Sequence, residues 1–290
     1  MKLTGKAARM IIVILVGAAA GFHPGLSHGY VLPAPYILEQ MTARMGLPNR
    51  FQVTQTLHVI KRNSENDNDS QWADRVIYKQ VLRYRQNGMF RSDIADPDLN
   101  HTYISLPGKA MTIVDEVIVS ESENWLYSYG DLFSHDGRKN LAGRLKEHGL
   151  NVHVSSLGRM DKDICYVIGA KYPDTGSAQL WISREDFMPV RLVVTGAKNH
   201  SEVPDEEIRF HRWRRFDGMR YPGEIVFLEK GVEVQKLIVT HIDVNPVFEP
   251  GIFDISHLKA VLQQADKEAD VPDISDEIQQ EIERFKRIFE

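Results

Sequence analysis

The sequence predicts a mainly β (α+β) protein, an incomplete, curled antiparallel β-barrel of about eleven strands covered by helices. Three observations lead there. Apolar and polar residues alternate with period two in run after run between residues 51 and 244, as in strands with one buried face. Turn pairs containing glycine, Asn87-Gly88, Asp217-Gly218 and Lys230-Gly231, punctuate these runs and join neighbours antiparallel. Helical segments are few and no internal repeat occurs, so the strands belong to one large sheet, and a sheet of that width curls.

Each element has its own signature. Residues 35–46 (PYILEQMTARMG) place Ile37, Leu38, Met41 and Met45 at helical spacing and stop at a glycine, which predicts a short amphipathic helix. Phe51, Val53, Leu57 and Val59 then alternate with Gln52, Thr54, Thr56 and His58. Val76, Tyr78, Leu82 and Tyr84 resume the period beyond an all-polar stretch at 63–70, so two long antiparallel strands are expected. Asn87-Gly88 tolerates the positive φ of a type I′ turn and leads into a strand over 89–94. Residues 101–106, 111–120 and 125–129 are further β-rich runs, the last placing Trp125, Tyr127 and Tyr129 on one sheet face. Residues 136–149 predict a helix with Leu141, Leu145 and His148 on one side and Gly149 as C-cap. Strands follow over 152–157, 164–171, 178–183, 190–196, 206–216, 221–229 and 232–244.

Beyond residue 255 the composition turns helical, over 257–267 and 273–289, with a break at Val271-Pro272. The second helix carries Ile274, Ile278, Ile282, Phe285 and Phe289 on one stripe. Either it docks on the exterior of the sheet or it is a surface for a partner; its Glu-rich polar face disfavours anionic lipid headgroups.

With 42% hydrophobic residues and 26% charged ones, the chain is neither disordered nor fibrous. Lys2, Lys6 and Arg9 precede an uncharged, almost wholly apolar stretch at 10–20, the outline of a signal peptide. Ser27 and Gly29 are small residues suited to the signal-peptidase site, so cleavage after Gly29 and export are expected. An uncleaved anchor is the competing reading; it is opposed by a spanning helix's need for roughly 20 mostly apolar residues. The expected organisation is a signal peptide at 1–29, a half-barrel domain at 30–255 and a C-terminal helical extension at 256–290. Without the first 29 residues, 32 basic face 40 acidic residues, net −8, which argues against a nucleic-acid partner. Cys165 is the one cysteine, so no intramolecular disulfide forms; in the β-rich run Ile164-Cys165-Tyr166-Val167-Ile168 it reads as a buried apolar residue and not a reactive thiol.

The spacings required by catalysis and metal binding are missing. There is no His-Glu-x-x-His, no Gly-x-Ser-x-Gly, no phosphate-cradling glycine loop and no EF-hand ladder. Ser134-His135-Asp136 spells a triad, yet consecutive loop residues point in different directions, whereas triad members meet from separate segments. His148 and His153 straddle a helix end and read as surface or capping histidines, not zinc ligands. Asn66, Asp67, Asn68 and Asp69 read as a solvated hairpin tip as readily as a calcium site. The chain is therefore expected to be no enzyme and to need neither metal nor cofactor.

A curled sheet that does not close leaves a concave face, and an apolar concave face is covered by helices or filled by an apolar guest. Residues 179–192 (QLWISREDFMPVRL), 212–222 (RWRRFDGMRYP) and 244–254 (VNPVFEPGIFD) also resemble the outer-membrane lipoprotein-sorting (LolA-like) periplasmic family, over roughly 30–255. That resemblance implies a half-barrel closed by helices, whose hollow takes the acyl chains of a lipid or lipoprotein without cofactor or catalysis. With such a cargo, a membrane-protein donor or acceptor is the further partner to look for. Parity divides the strands into two sets. Leu180, Ile182, Leu192, Val194, Phe210 and Phe227 form the more apolar set and are the expected lining of the hollow. Trp181, Arg191, Val193 and Trp213 form the other, with Arg191 on the outer face or rim beside an acid. A non-enzymatic envelope module acting through its surface or C-terminal helix is the alternative function.

Overall fold

A computed structural model describes residues 31–60, 75–97, 99–134, 137–174, 176–195 and 205–268. The proposed export signal, the polar stretch at 63–70, His135, Asp136 and the proposed helix at 273–289 lie outside the described residues.

Helix α1 (Ala34–Met45) buries Ile37, Leu38, Met41 and Met45 and ends at Gly46, whose φ of 61° places it in the left-handed region that glycine enters without penalty. The first meander follows: β1 (Arg50–Ile60), β2 (Arg75–Arg85), β3 (Met89–Asp96), β4 (Leu99–Leu106), β5 (Lys109–Val114) and β6 (Val117–Ser120). A 3-10 helix (Trp125–Gly130), α2 (Asp131–Ser134) and α3 (Gly137–Glu147) come next. The second meander is β7 (Ser155–Met160), β8 (Asp163–Ile168), β9 (Gln179–Ser183), β10 (Pro189–Thr195), β11 (Glu206–Phe216), β12 (Met219–Glu229) and β13 (Val232–Val244), followed by α4 (Ile255–Glu268).

All thirteen strands form one antiparallel sheet in the order β6-β5-β4-β3-β2-β1-β13-β12-β11-β10-β9-β8-β7. The two meanders are sewn together where β1 pairs with β13, Phe51 opposite Val244 and Val59 opposite Gln235. Strands β6 and β7 are the two edges, so the sheet curls without closing. The chain crosses from one edge to the other through the 3-10 helix, α2 and α3.

Three expectations need correction. Residues 111–120 are not one strand but the hairpin β5–β6, reversed at Asp115 and Glu116 with φ of 46° and 68°. Neither residue is a glycine, so the turn left no signal in the sequence. Residues 125–129 are not a strand. The Asn124 side chain accepts from the Leu126 N–H (2.9 Å) and the Ser128 hydroxyl donates to the Trp125 carbonyl (2.7 Å), local bonds that favour a tight helical turn over a ladder. The three aromatics consequently splay instead of lining one sheet face. The first strand of the second meander also starts at Ser155, later than the expected 152.

The main core lies on the concave side, between the sheet and α1, the 3-10 helix, α2 and α3. Two smaller clusters lie on the convex side. Ile104, Met111 and Ile113 are covered by Ile255, Leu258 and Leu262 of α4. Cys165, Val167 and Trp181 pack with Met160 and Val190; burial pushes the Cys165 thiol up to about 11. Gly158 makes room there, because a Cβ at that position would meet the Trp181 ring at 2.7 Å and Val167 at 2.9 Å.

Candidate functional site

The antiparallel registers place Ile168 opposite Leu180, Leu180 opposite Leu192, Leu192 opposite Ile208 and Ile208 opposite Phe227. An unbroken apolar row thus crosses five strands from β8 to β12, because directly paired residues share a face. Ile182 and Phe210 lie on the same face in neighbouring rows, and Val194 packs half-buried against it. Leu180, Ile182, Leu192, Phe210 and Phe227 are buried in one core cluster. In this structure the chain's own side chains cover them. Phe227 meets Trp125 and Tyr129 edge-on at 6.2 and 5.6 Å, and Phe210 meets Phe133 at 6.3 Å.

The other parity set divides. Trp181 belongs to the convex cluster, and Arg191 lies beside it with its guanidinium 5.2 Å from the ring and Nη2 donating to Glu207 (2.6 Å). Trp213 instead joins the concave core, packing on Phe133 (6.2 Å) and donating its indole N–H to the Pro189 carbonyl (2.9 Å). Arg212, with φ of 57°, interrupts the strict alternation of β11 immediately before it.

Phe133 is the centre of the covering layer. Its ring lies 4.6 Å from Tyr221, 6.1 Å from Tyr84 and 6.5 Å from Tyr129. Tyr84 stacks on Phe51 at 4.4 Å, and its hydroxyl is 2.9 Å from that of Tyr221. Burial raises Tyr84, Tyr127, Tyr129 and Tyr221 well above the usual phenol range and holds them neutral.

A polar strip that the sequence reading did not single out runs over the other half of the concave face. Gln55 Nε2 donates to Gln80 Oε1 (2.6 Å) and Gln80 Nε2 donates to Ser92 Oγ (2.8 Å). His101 continues the strip with its ring parallel to Tyr127, which also stacks on Tyr103 at 4.1 Å. Burial lowers His101 to about 3, so the imidazole is neutral at physiological pH. The signal was available: Gln55 has the parity of Val53 and Leu57, a polar residue at an inward position.

The covering helices are held by charge. Arg144 of α3 donates to Asp131 (2.9 Å), Glu123 (2.6 Å) and Glu147 (3.1 Å), and His148 Nε2 lies 2.6 Å from the same Asp131 oxygen. Burial works to lower the Arg144 pKa, but Asp131, Glu147 and Glu123 outweigh it and keep the guanidinium charged. The Gly88 N–H donates to the Ser134 carbonyl (2.8 Å), tying α2 to the β2–β3 turn. A cleft of about 330 Å³ at the β6 edge is lined by Val119, Trp125 and Glu206 among others. A second, of about 570 Å³, lies between α3 and the turns at Gly88 and Gly108. Among the described residues, no group of three or more His, Cys, Asp or Glu side chains is placed to hold a metal, and no helix is long and apolar enough to cross a membrane.

No protein-family model and no curated protein matches the chain. Solved structures do. A LolA superfamily protein from Nitrosomonas europaea superimposes with a TM-score of 0.51 at 14% identity, over 78% of this chain and 100% of that one. An outer-membrane lipoprotein-sorting protein domain from Vibrio parahaemolyticus gives 0.52 at 9% identity, over 78% and 97%. A DUF1329 family protein from Desulfovibrio piger gives 0.50 at 11% identity, over 78% and 98%. At such identities the likeness is one of fold. The open thirteen-stranded sheet, its two edges β6 and β7 and the helices across its hollow together are a LolA-like fold.

Proposed function

We propose that the protein is a non-enzymatic periplasmic carrier or binding protein for the acyl chain of a lipid or lipoprotein. The chain is taken up non-covalently in the apolar hollow and moved between envelope membranes. The observation that carries this reading is the row Ile168–Leu180–Leu192–Ile208–Phe227. It gives an extended hydrocarbon an uninterrupted apolar track across five strands, on a face covered by helices and not by a second sheet.

The test is to purify the mature protein from its periplasm without detergent and to analyse it by native mass spectrometry and solvent extraction. A stoichiometric lipid is expected, and Leu192→Arg and Phe210→Asp should lose it while circular dichroism still reports the sheet. Lipid retained at the wild-type level in both folded variants refutes the reading. A second reading, an envelope module acting through its surface or C-terminal helix, is favoured by the complete covering of the hollow by Phe133, Tyr129 and Trp125. Deleting residues 273–290 would then remove a partner and leave lipid content unchanged.

A further inference from the structure

Four pairs of arginines face each other directly across neighbouring strands of this sheet, an arrangement that destabilises a ladder unless something compensates. Two of the pairs carry their compensation. Arg83 and Arg91 are opposite each other on β2 and β3, and Asp93 bonds both, at 2.5 and 2.8 Å. Arg191 and Arg209 are opposite on β10 and β11, and the buried Glu207 bonds both, at 2.6 and 2.5 Å. The other two pairs are Arg50 with Arg85 on β1 and β2, and Arg215 with Arg220 on β11 and β12. No ion pair involves any of these four among the described residues, although acidic residues outnumber basic ones in the chain.

The uncompensated pairs are neighbours. Strand β1 starts, β2 ends, β11 ends and β12 starts at the same end of the sheet, with β13 alone between β1 and β12. Strand β13 therefore lies between the two pairs, which are at least two strand spacings, about 10 Å, apart. Alternation puts Arg50, Arg85 and Arg220 on the side opposite to the inward Phe51, Tyr84 and Tyr221, and Arg215 faces Arg220 across the ladder. The acid that β13 brings to this end, Asp243, is bonded to His241 (2.9 Å). Immediately beyond β13, where the Asn245 N–H donates to the Arg50 carbonyl (3.0 Å), Val247 stands 90% exposed, the most exposed of the large apolar side chains described.

We propose that this end of the sheet is a docking surface for a membrane bearing anionic phospholipids, with the four arginines taking the headgroup phosphates and Val247 entering the interface. Two arginine pairs on either side of β13 are spread too widely for a single small anion and suit several phosphates of a surface, and an exposed aliphatic residue beside a basic rim is what a wet apolar–polar boundary rewards. The proposal goes beyond the carrier reading and is independent of what occupies the hollow, although the cleft between α3 and the Gly88 and Gly108 turns opens at this same end.

The experiment is flotation of the mature protein with vesicles of phosphatidylcholine, with and without phosphatidylglycerol. Binding is expected with phosphatidylglycerol alone and should weaken as salt rises. The pair Arg215→Gln and Arg220→Gln should weaken partitioning about twenty-five-fold, at about fivefold per arginine near an anionic surface, while relieving repulsion and leaving the fold intact. Val247→Ser should weaken it further without changing the salt dependence. Equal binding to neutral and anionic vesicles, no binding to either, or wild-type binding by the arginine variant each overturns the proposal. So does release of bound protein by millimolar inorganic phosphate, which would make this a site for a small anion. Phe210→Asp should dock normally, so that failure of the carrier reading and failure of docking are separately visible.

Discussion

Removing the Phe133 ring tests the covering layer directly. The side chain is fully buried and surrounded by the rings of Tyr84, Tyr129, Phe210, Trp213 and Tyr221. Phe133→Ala forfeits the transfer free energy of the ring and leaves a cavity that rigid β-strands on one side cannot fill. Such a truncation costs about 3–5 kcal/mol, and with five aromatic partners about 4 kcal/mol is expected. For a domain of this size that lowers Tm by about 8–16 °C, at about 2–4 °C per kcal/mol. Urea unfolding should show a lower midpoint at unchanged slope. The same variant tests the hollow: a dry cavity beside the apolar row should accept a medium-chain fatty acid. At a free ligand concentration a hundred times Kd, about 2.7 kcal/mol would be recovered. A loss below about 1 kcal/mol would mean that the ring does not pack where the structure puts it. A full loss with no rescue by any fatty acid would keep the packing and remove the hollow as an acyl site.

Three further outcomes follow from buried groups. Glu207→Gln leaves Arg191 and Arg209 facing each other with one neutral partner and should cost about 3 kcal/mol in urea unfolding, partly restored by adding Arg191→Met. His101 has a folded-state pKa of about 3, below its usual 6.5, so the unfolded chain binds the extra proton; its contribution is complete above pH 6.5 and is lost as pH falls towards 3. Between pH 7 and 5 that loss is about 2 kcal/mol, and His101→Gln should flatten that part of the stability–pH profile. Gly158→Ala drives a Cβ into Trp181 and Val167 and should cost about 1–3 kcal/mol by thermal melting, with a changed tryptophan emission as the local readout.

The strands were legible because burial on one face imposes period two, and the type I′ turn at Asn87-Gly88 was legible because its positive φ values restrict the residues tolerated there. Parity sorted the second meander into two sets but did not say which faces inward; the greater apolar character of Leu180, Ile182, Leu192, Phe210 and Phe227 did, and these five are in one core cluster. What failed was chemistry that leaves no periodic trace. Asp115 and Glu116 turn the chain with two non-glycine positive φ values, and residues 125–129 form a helical turn through side-chain to backbone bonds that a β-rich composition conceals. Trp213 breaks parity because of one residue, Arg212. The salt-bridge hub at Arg144 joins residues from 123 to 148 and depends on how α3 lies against the 3-10 helix, which no local pattern encodes.

The topology explains why a carrier reading suits this sheet better than a rigid scaffold reading. Pairing of β1 with β13 places the two meanders back to back, so every ladder runs within one meander or through that single seam. Together with α1, the hollow is filled by the connection between the two outermost strands, and the sheet's ladders do not pass through that connection. It is fastened by a few polar ties, Arg144 to Asp131 and Glu123 and the Gly88–Ser134 backbone bond, and by the rings of Phe133 and Tyr129. Withdrawing those rings would uncover Phe210 and Phe227 without breaking one inter-strand hydrogen bond. An acyl chain lying along the row would cover the same apolar surface again, each of its buried methylenes being worth about 0.8 kcal/mol. About four or five methylenes then offset the packing of Phe133, so a short stretch of acyl chain matches one withdrawn ring, as a carrier that must both load and release requires.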